Sequence, residues 1–303
     1  MGNTLKKIIL NVISKKCGLL RKLDKSNSLY EIVDSHTRIY FRYSKIHNNK
    51  RPFYGLRQDD LIQLEGHNSF ICFLWENQTE PLFLPYSDYE EIFQSISPAS
   101  DGQYKVQIYL EENGTELYIA RAGRFNVESH LGWQEFETLI DTSKLKKVPK
   151  LSHPQIQTLL GAIGTIKGFD IWIPQYDRNK LDWNITTRFQ CCSNLPSGFT
   201  TLSKILQEID VIWIERGSNN LKSLFEVEHS TPIYSCLLRF NDILLLYPYL
   251  NPRFSIVSND TRKSLFVKQL NRPTFQRSKL SELCNFLEYV NVYGWFERLR
   301  STL

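Results

Sequence analysis

LFEVEHST (224–231) and IDVIWI (209–214) decide the reading of this chain. Both have the apolar content of buried strands, yet the first carries Glu226 and Glu228 and the second carries Asp210. An ionised carboxylate taken out of water without a partner costs several kcal/mol. Three acids in two such strands therefore need a physical reason. Gly217-Ser218-Asn219-Asn220 reads as the turn between them. A hairpin centred on Asn219 sets Asp210 opposite Glu228. Glu226, two residues from Glu228, shares its face. Opposed Cβ atoms lie about 4.5–5.5 Å apart and diagonal ones about 7–8 Å, so the three carboxylates are expected to converge.

Clustered carboxylates repel, and like charges raise one another's pKa. Either some are protonated or a cation sits among them. Oxygen ligands select hard cations, so Mg²⁺ is the expected ion, with Mn²⁺ as a substitute. The bland alternative has Asp210 capping a turn, with Glu226 and Glu228 pairing with Lys222 and Arg216 on an exposed face. Phe225, Val227 and the apolar run around Asp210 speak for burial on both sides instead.

The surrounding pattern predicts helices at 153–168, 232–248, 262–270 and 281–299, a helix or turn at 199–209, and strands at 169–174 and 254–260. Strands that are apolar on both faces and flanked by helices imply an α/β sandwich around one mixed sheet. An acid-bearing strand, a Glu-x-(Lys or Glu) strand and a following helix resemble the PD-(D/E)xK nuclease superfamily. FEVEHSTPIYSCLLRFNDIL (225–244) is also similar to a recurrent form in bacterial nuclease-like proteins associated with restriction.

The resemblance covers roughly 150–270 and implies a restriction-endonuclease-like fold. It implies that Asp210 and Glu226, with the Val227 carbonyl, hold the metal. Asp210, Glu226 and Glu228 would then be the catalytic set. Glu228 stands where most members have lysine. Lys222 and Arg239 are the two candidates for the missing positive charge. The expected activity is that of a Mg²⁺-dependent type II restriction endonuclease acting on double-stranded DNA. It would leave 5′-phosphate and 3′-hydroxyl ends and act as a homodimer on a palindromic site. A catalytically inactive DNA-binding protein with a degenerate nuclease fold is the alternative. Other acids and polar groups have structural readings. His229 is expected to pack or hydrogen-bond, Ser230 and Thr231 to cap a helix, and Asp170 and Asp177 to form a weaker acid site.

The first half is strand-rich and reads as a smaller α+β domain at 28–148, after a basic helical segment at 1–27. The nuclease-like domain is 149–303. Thr37–Lys45 alternates, with Arg38 and Arg42 on one side. Residues 70–77 and 80–86 form a strand pair, and Ser87 caps a short helix. Residues 104–123 form a hairpin turning at Asn113-Gly114. KIHNNKRPFYGLRQDD (45–60) is a basic, polar loop. DNA recognition is assigned here, through Arg42, Lys50, Arg51 and Arg57, with Gln155 bordering the cleft.

The net charge of +5, from 37 basic and 32 acidic residues, permits a nucleic-acid partner without demanding one. Six cysteines without a CxxC pair read as reduced thiols, and zinc on Cys191-Cys192 is disfavoured. No apolar run reaches the length of a membrane span, so the expected compartment is the cytoplasm.

Overall fold

The computed structural model describes residues 2–23, 26–46, 51–111, 114–145, 150–229, 232–250 and 252–301. The chain is mixed α/β and divides into two compact units, Met1–Lys147 and Val148–Leu303.

In the first unit α1 (Gly2–Cys17) precedes β1 (Leu20–Lys22), β2 (Leu29–Ile32), β3 (Thr37–Ser44), β4 (Phe53–Arg57) and α2 (Gln58–Ile62). Then come β5 (Asn68–Trp75), β6 (Leu82–Pro85), α3 (Glu90–Ser95), β7 (Gln103–Glu111), β8 (Gly114–Ile119), β9 (Gly123–Asn126) and α4 (Gln134–Leu145). One sheet has the order β1-β2-β3-β5-β6 and the other β4-β7-β8-β9. Tyr40, Ile71, Phe73 and Leu84 of the first pack with Leu56, Val106, Ile108 and Leu117 of the second. The far side of the first sheet takes Ile9 and Ile13 of α1 and Phe136 and Ile140 of α4. β8 alternates strictly: Thr115, Leu117 and Ile119 are buried, while Glu116 and Tyr118 face outward and stay partly exposed.

Four local expectations fail here. Residues 45–60 are not all loop, since Phe53–Arg57 forms β4 and Gln58–Ile62 forms α2. β3 is not half-exposed, because β2 and β5 flank it and both its faces are covered. Arg38 is buried with its guanidinium donating to the Gln63 carbonyl. Ser87 does not cap α3; its hydroxyl bonds Asp88, and the N-cap position falls on Tyr89. The 104–123 hairpin does form as β7–β8, with Gly114 at φ 128°. Asn113 and Lys50 lie outside the described residues, as do Ser230 and Thr231.

The second unit runs α5 (His153–Ile166), β10 (Asp170–Trp172), α6 (Gln175–Arg178), α7 (Ser203–Leu206), β11 (Val211–Ile214), β12 (Leu221–Glu228) and α8 (Ile233–Leu246). It continues through β13 (Arg253–Ser258), α9 (Lys263–Leu270), α10 (Pro273–Arg277), α11 (Leu280–Leu283), β14 (Cys284–Glu288) and α12 (Tyr289–Arg300). The sheet order is β10-β11-β12-β13-β14, antiparallel up to β12 and parallel from β12 to β14. Val211, Trp213, Phe225 and Val227 pack on α5 and α12; Ile212, Leu224, Phe254 and Phe286 pack on α8, α9 and their neighbours. Helix α5 lies close to the sheet because Gly164 lacks a Cβ. One added there would come 2.5 Å from both Ile171 and Trp213.

Residues 281–299 are not one helix. Cys284–Glu288 forms β14, the parallel edge strand, with all five residues buried. A five-residue segment such as CNFLE, with Cys284, Phe286 and Leu287 as its apolar residues, is too short for periodicity to tell a covered strand from a helix. The hairpin register also differs. Val211 pairs with Phe225, so Asp210 lies across from Glu226 rather than Glu228. An irregularity between Trp213 and Ile214 then shifts the pairing by one further residue, bringing Ile214 opposite Leu221. From Val211 to Trp213 the slip is of two residues, which leaves Glu226 and Glu228 on the face expected for them, whereas the irregularity puts Leu221 on the same side as Leu224.

Candidate active site

The acids gather at the carboxyl end of β12, the end of a sheet at which α/β folds place their ligand sites. Glu226 and Glu228 point to the α8 side, with Leu224 between them and the turn. Both are buried, at 1% and 4% exposure, and Asp210 just before β11 is at 8%.

Each carboxylate has a distinct set of partners. Glu226 takes a two-pronged contact from Arg239 of α8: Nε to Oε1 at 2.7 Å and Nη2 to Oε2 at 3.0 Å. Burial, the strongest effect, pushes the Glu226 carboxyl up to about 8 against the pull of Arg239. Glu228 accepts the Cys236 thiol at 2.6 Å, and Arg262 approaches its other oxygen at 4.0 Å. Burial, then Glu226 and Glu228, push that thiol well above its ordinary range. The Glu228 main-chain carbonyl accepts the Ser258 and Tyr289 hydroxyls. Asp210 Oδ2 accepts the Val227 amide at 2.7 Å. Asp210 Oδ1 meets His153 Nε2 at 3.1 Å and the Gln157 amide at 3.3 Å.

His153 and Gln157 reach Asp210 from the first turns of α5. Ser152 caps that helix, with Gln155 returning to the Ser152 amide. Burial is the strongest single effect and works against a charge on His153, but the hydrogen bond to Asp210 and the negative charges of Asp210, Asp177 and Glu228 together outweigh it and raise the ring above its usual value. Asp177 joins through Gln157 at 3.5 Å and pairs with Lys180. Asp170 stands apart, 3.5 Å from Arg216. His229 is exposed, its ring beside those of His153 and Tyr289.

Of the two candidates for the missing charge, Arg239 is at the acids. Lys222 pairs with Glu215 near the turn. Gln155 spends its side chain on the cap and on Asp182, and Gln157 reaches Asp210 in its place. Ligand atoms of Glu226, Glu228 and Cys236 lie within 4.8 Å of one another. Cys236 was read only as a buried thiol, and His153 and Gln157 only as parts of a helix. Their spacing of four residues was the available signal, since it puts both on one helix face.

The family profile described as the type II restriction enzyme NmeDI C-terminal domain matches residues 137–299, more than half of the chain. The chain belongs to this family. The matched segment contains all three acids, Arg239 and the α5 groups that touch Asp210. The chain is also similar to the type II restriction enzyme NmeDI of Neisseria meningitidis serogroup C, at 34% identity over 137 residues. That match covers 42% of this chain and 38% of the relative's length. No solved structure matches.

In the first unit, Arg51 and Arg57 are exposed. Arg42 is half-buried near the Tyr40 ring, 5.6 Å away. Among the described residues no helix is long and apolar enough to cross a membrane.

Proposed function

We propose that the chain is a divalent-metal-dependent DNA endonuclease of restriction type, belonging to the PD-(D/E)xK superfamily. What supports this reading is the placement of Asp210 across from Glu226, two residues from Glu228 on β12, inside the segment matched to a restriction-enzyme family. The donor set fits a hard cation, because Asp210, Glu226 and a main-chain carbonyl offer only oxygen. The Val227 amide points at Asp210. An extended residue turns its N–H and C=O to the same edge, so its carbonyl faces Asp210 as well. Asp210, Glu226 and the Val227 carbonyl would hold Mg²⁺ or Mn²⁺. The bound ion supplies Lewis-acid polarisation of a phosphate oxygen and acidifies water.

The chain's own groups do the remaining work. Asp210 is oriented by three donors: the Val227 amide, His153 and Gln157. Glu228 offers an acceptor to the attacking water in the place where most of the superfamily has lysine. Arg239 supplies the positive charge that Glu228 does not, beside the phosphate that in-line attack would make pentavalent. The products are 5′-phosphate and 3′-hydroxyl ends. Duplex cutting needs two sites, which a homodimer provides. The first unit is the recognition domain, and the compartment is the cytoplasm.

The test is digestion of plasmid and phage DNA with Mg²⁺ or Mn²⁺, with the ends sequenced. Discrete ends bearing 5′-phosphate are expected, and intact DNA under all conditions would overturn the reading. One observation favours an inactive DNA-binding protein instead: Arg239 engages both oxygens of Glu226, a proposed ligand. Calorimetric titration with Mn²⁺ separates the two, since only the nuclease must bind the ion at these acids.

A further inference from the structure

The second sheet of the first unit has one face on the core and one turned outward. The outward face has a definite chemistry. A row of directly opposed residues crosses all four strands: Phe53 on β4, Gln107 on β7, Tyr118 on β8 and Arg124 on β9. Arg57 opposes Gln103, and Lys105 stands opposite Gly55, in neighbouring rows. Tyr109 is covered from two sides, by the Arg51 guanidinium at 4.1 Å and the Arg124 guanidinium at 3.9 Å from its ring centre. Tyr118 meets it edge-on at 6.1 Å. Phe53 is 46% exposed, a large apolar ring left in water.

Such a face is unusual for a plain solvated surface. A guanidinium held over a tyrosine ring carries several N–H groups in a planar fork that matches phosphate oxygens and base edges, and the Arg124 fork is bonded on this face to the exposed Glu116. Gln103 and Gln107 add amides, which pair donor and acceptor as an adenine edge does. Gly55 makes room for one of them: a Cβ there would fall 1.7 Å from Gln103 Oε1. Arg51, Arg57, Lys105 and Arg124 rise from this face against Glu111 and Glu116, with Asp101 beyond the end of β7. Arg51 and Glu111 only approach each other, at 3.9 Å, with both side chains nearly half exposed. An exposed pair of that kind is held weakly and can exchange partners with phosphate.

We infer that the open face of the β4-β7-β8-β9 sheet binds double-stranded DNA, with Arg51 and Arg124 on phosphates and Gln103, Gln107 and Phe53 toward the bases. This deepens the proposed function by locating recognition on one face, and it rests on DNA being the ligand. It sets Arg42, which belongs to the other sheet, outside the binding face.

The experiment is fluorescence anisotropy of the full chain with a short labelled duplex, titrated in EDTA so that nothing is cut, at several salt concentrations. In Arg51→Gln/Arg124→Gln the duplex Kd should rise about tenfold or more, and the slope of log K against log salt should fall by about 2. A Kd within about twofold of wild type with an unchanged slope overturns the inference. Thermal melting checks folding. Should that variant fail to fold, Arg57→Gln/Lys105→Gln on the same face is read by the same slope, with the same two outcomes. Tighter binding of a single strand than of the duplex by the wild type also overturns it, since stacking on the rings would then be the interaction. Cleavage with Mg²⁺ is scored separately. A wild type that binds here but never cuts removes the nuclease reading and leaves this face. A wild type that cuts while the variants bind normally removes only the face.

Discussion

Two Arg–Glu pairs hold opposite positions in this molecule. Arg239 and Glu226 meet where the second unit's sheet is covered on both sides, with side chains 24% and 2% exposed. Arg124 and Glu116 meet on the open sheet of the first unit, at 49% and 37%. The chemistry is the same and the solvent differs. On the open sheet either partner returns to water at little cost, so an exposed pair contributes about 0–1 kcal/mol. Within the covered sheet neither can be rehydrated, and deleting one leaves the other stranded. Charge in a covered strand therefore carries information that charge on an open strand does not. It has to be held by something, or to hold something.

That contrast can be broken in order of expected effect. Asp210→Asn and Glu226→Gln should each abolish cleavage while duplex binding holds or tightens, as the negative charge facing phosphate falls. Gel assays of cleavage and binding check this, and retained cutting in both variants would remove the site assignment. Glu228→Lys should lose most activity, because it places a cation beside the bound ion and swings the local charge by two units. At an effective dielectric of about 20 and a separation of about 4 Å such interactions reach about 4 kcal/mol. Glu228→Gln should lose less, and a Mg²⁺ titration of cleavage rate compares the two. Activity equal to wild type in the lysine variant would mark Glu228 as a decayed lysine position and favour the inactive reading.

Stability sharpens the comparison. Arg239→Ala strands a buried carboxylate and should cost about 3 kcal/mol in urea unfolding of the second unit. Arg124→Ala should cost less than about 1 kcal/mol. Equal costs would mean that burial is not what separates the pairs. The smallest effect concerns pH. His153 is raised above its ordinary 6.5 by Asp210, so its charged form is the one favoured by folding. Its contribution is complete below about 6.5 and is lost as pH rises through the raised value. His153→Gln should flatten that part of the Tm profile, and an unchanged profile would show that the pair contributes nothing.

Much of the second unit was legible because period and burial agree there. Leu224, Phe225 and Val227 leave no solvent face for β12, and that made Glu226 and Glu228 conspicuous. β14 was not legible: Cys284–Glu288 is short and wholly apolar in setting, and only its parallel partner β13 distinguishes it from the helix that follows. Arg38 was misread for a related reason. Alternation in β3 suggested an exposed side, but a second sheet covers it, and sequence near β3 does not announce a layer built from residues 53–126. Gln155 and Gln157 show the limit at single residues. Both are amides on one helix, and only the Ser152 cap decides which is spent on the backbone.

The sequence by itself determined that Glu226 and Glu228 share one face of a buried strand paired with the strand that follows Asp210. Strand periodicity is two, and a register error of two residues leaves faces unchanged. The tertiary structure decided which acid stands opposite which, that Arg239 rather than Lys222 lies against Glu226, and that His153 and Gln157 touch Asp210 while Cys236 touches Glu228. Those choices depend on where α5 and α8 dock on the sheet. Docking is fixed by side-chain packing between residues tens of positions apart, and local pattern does not encode that.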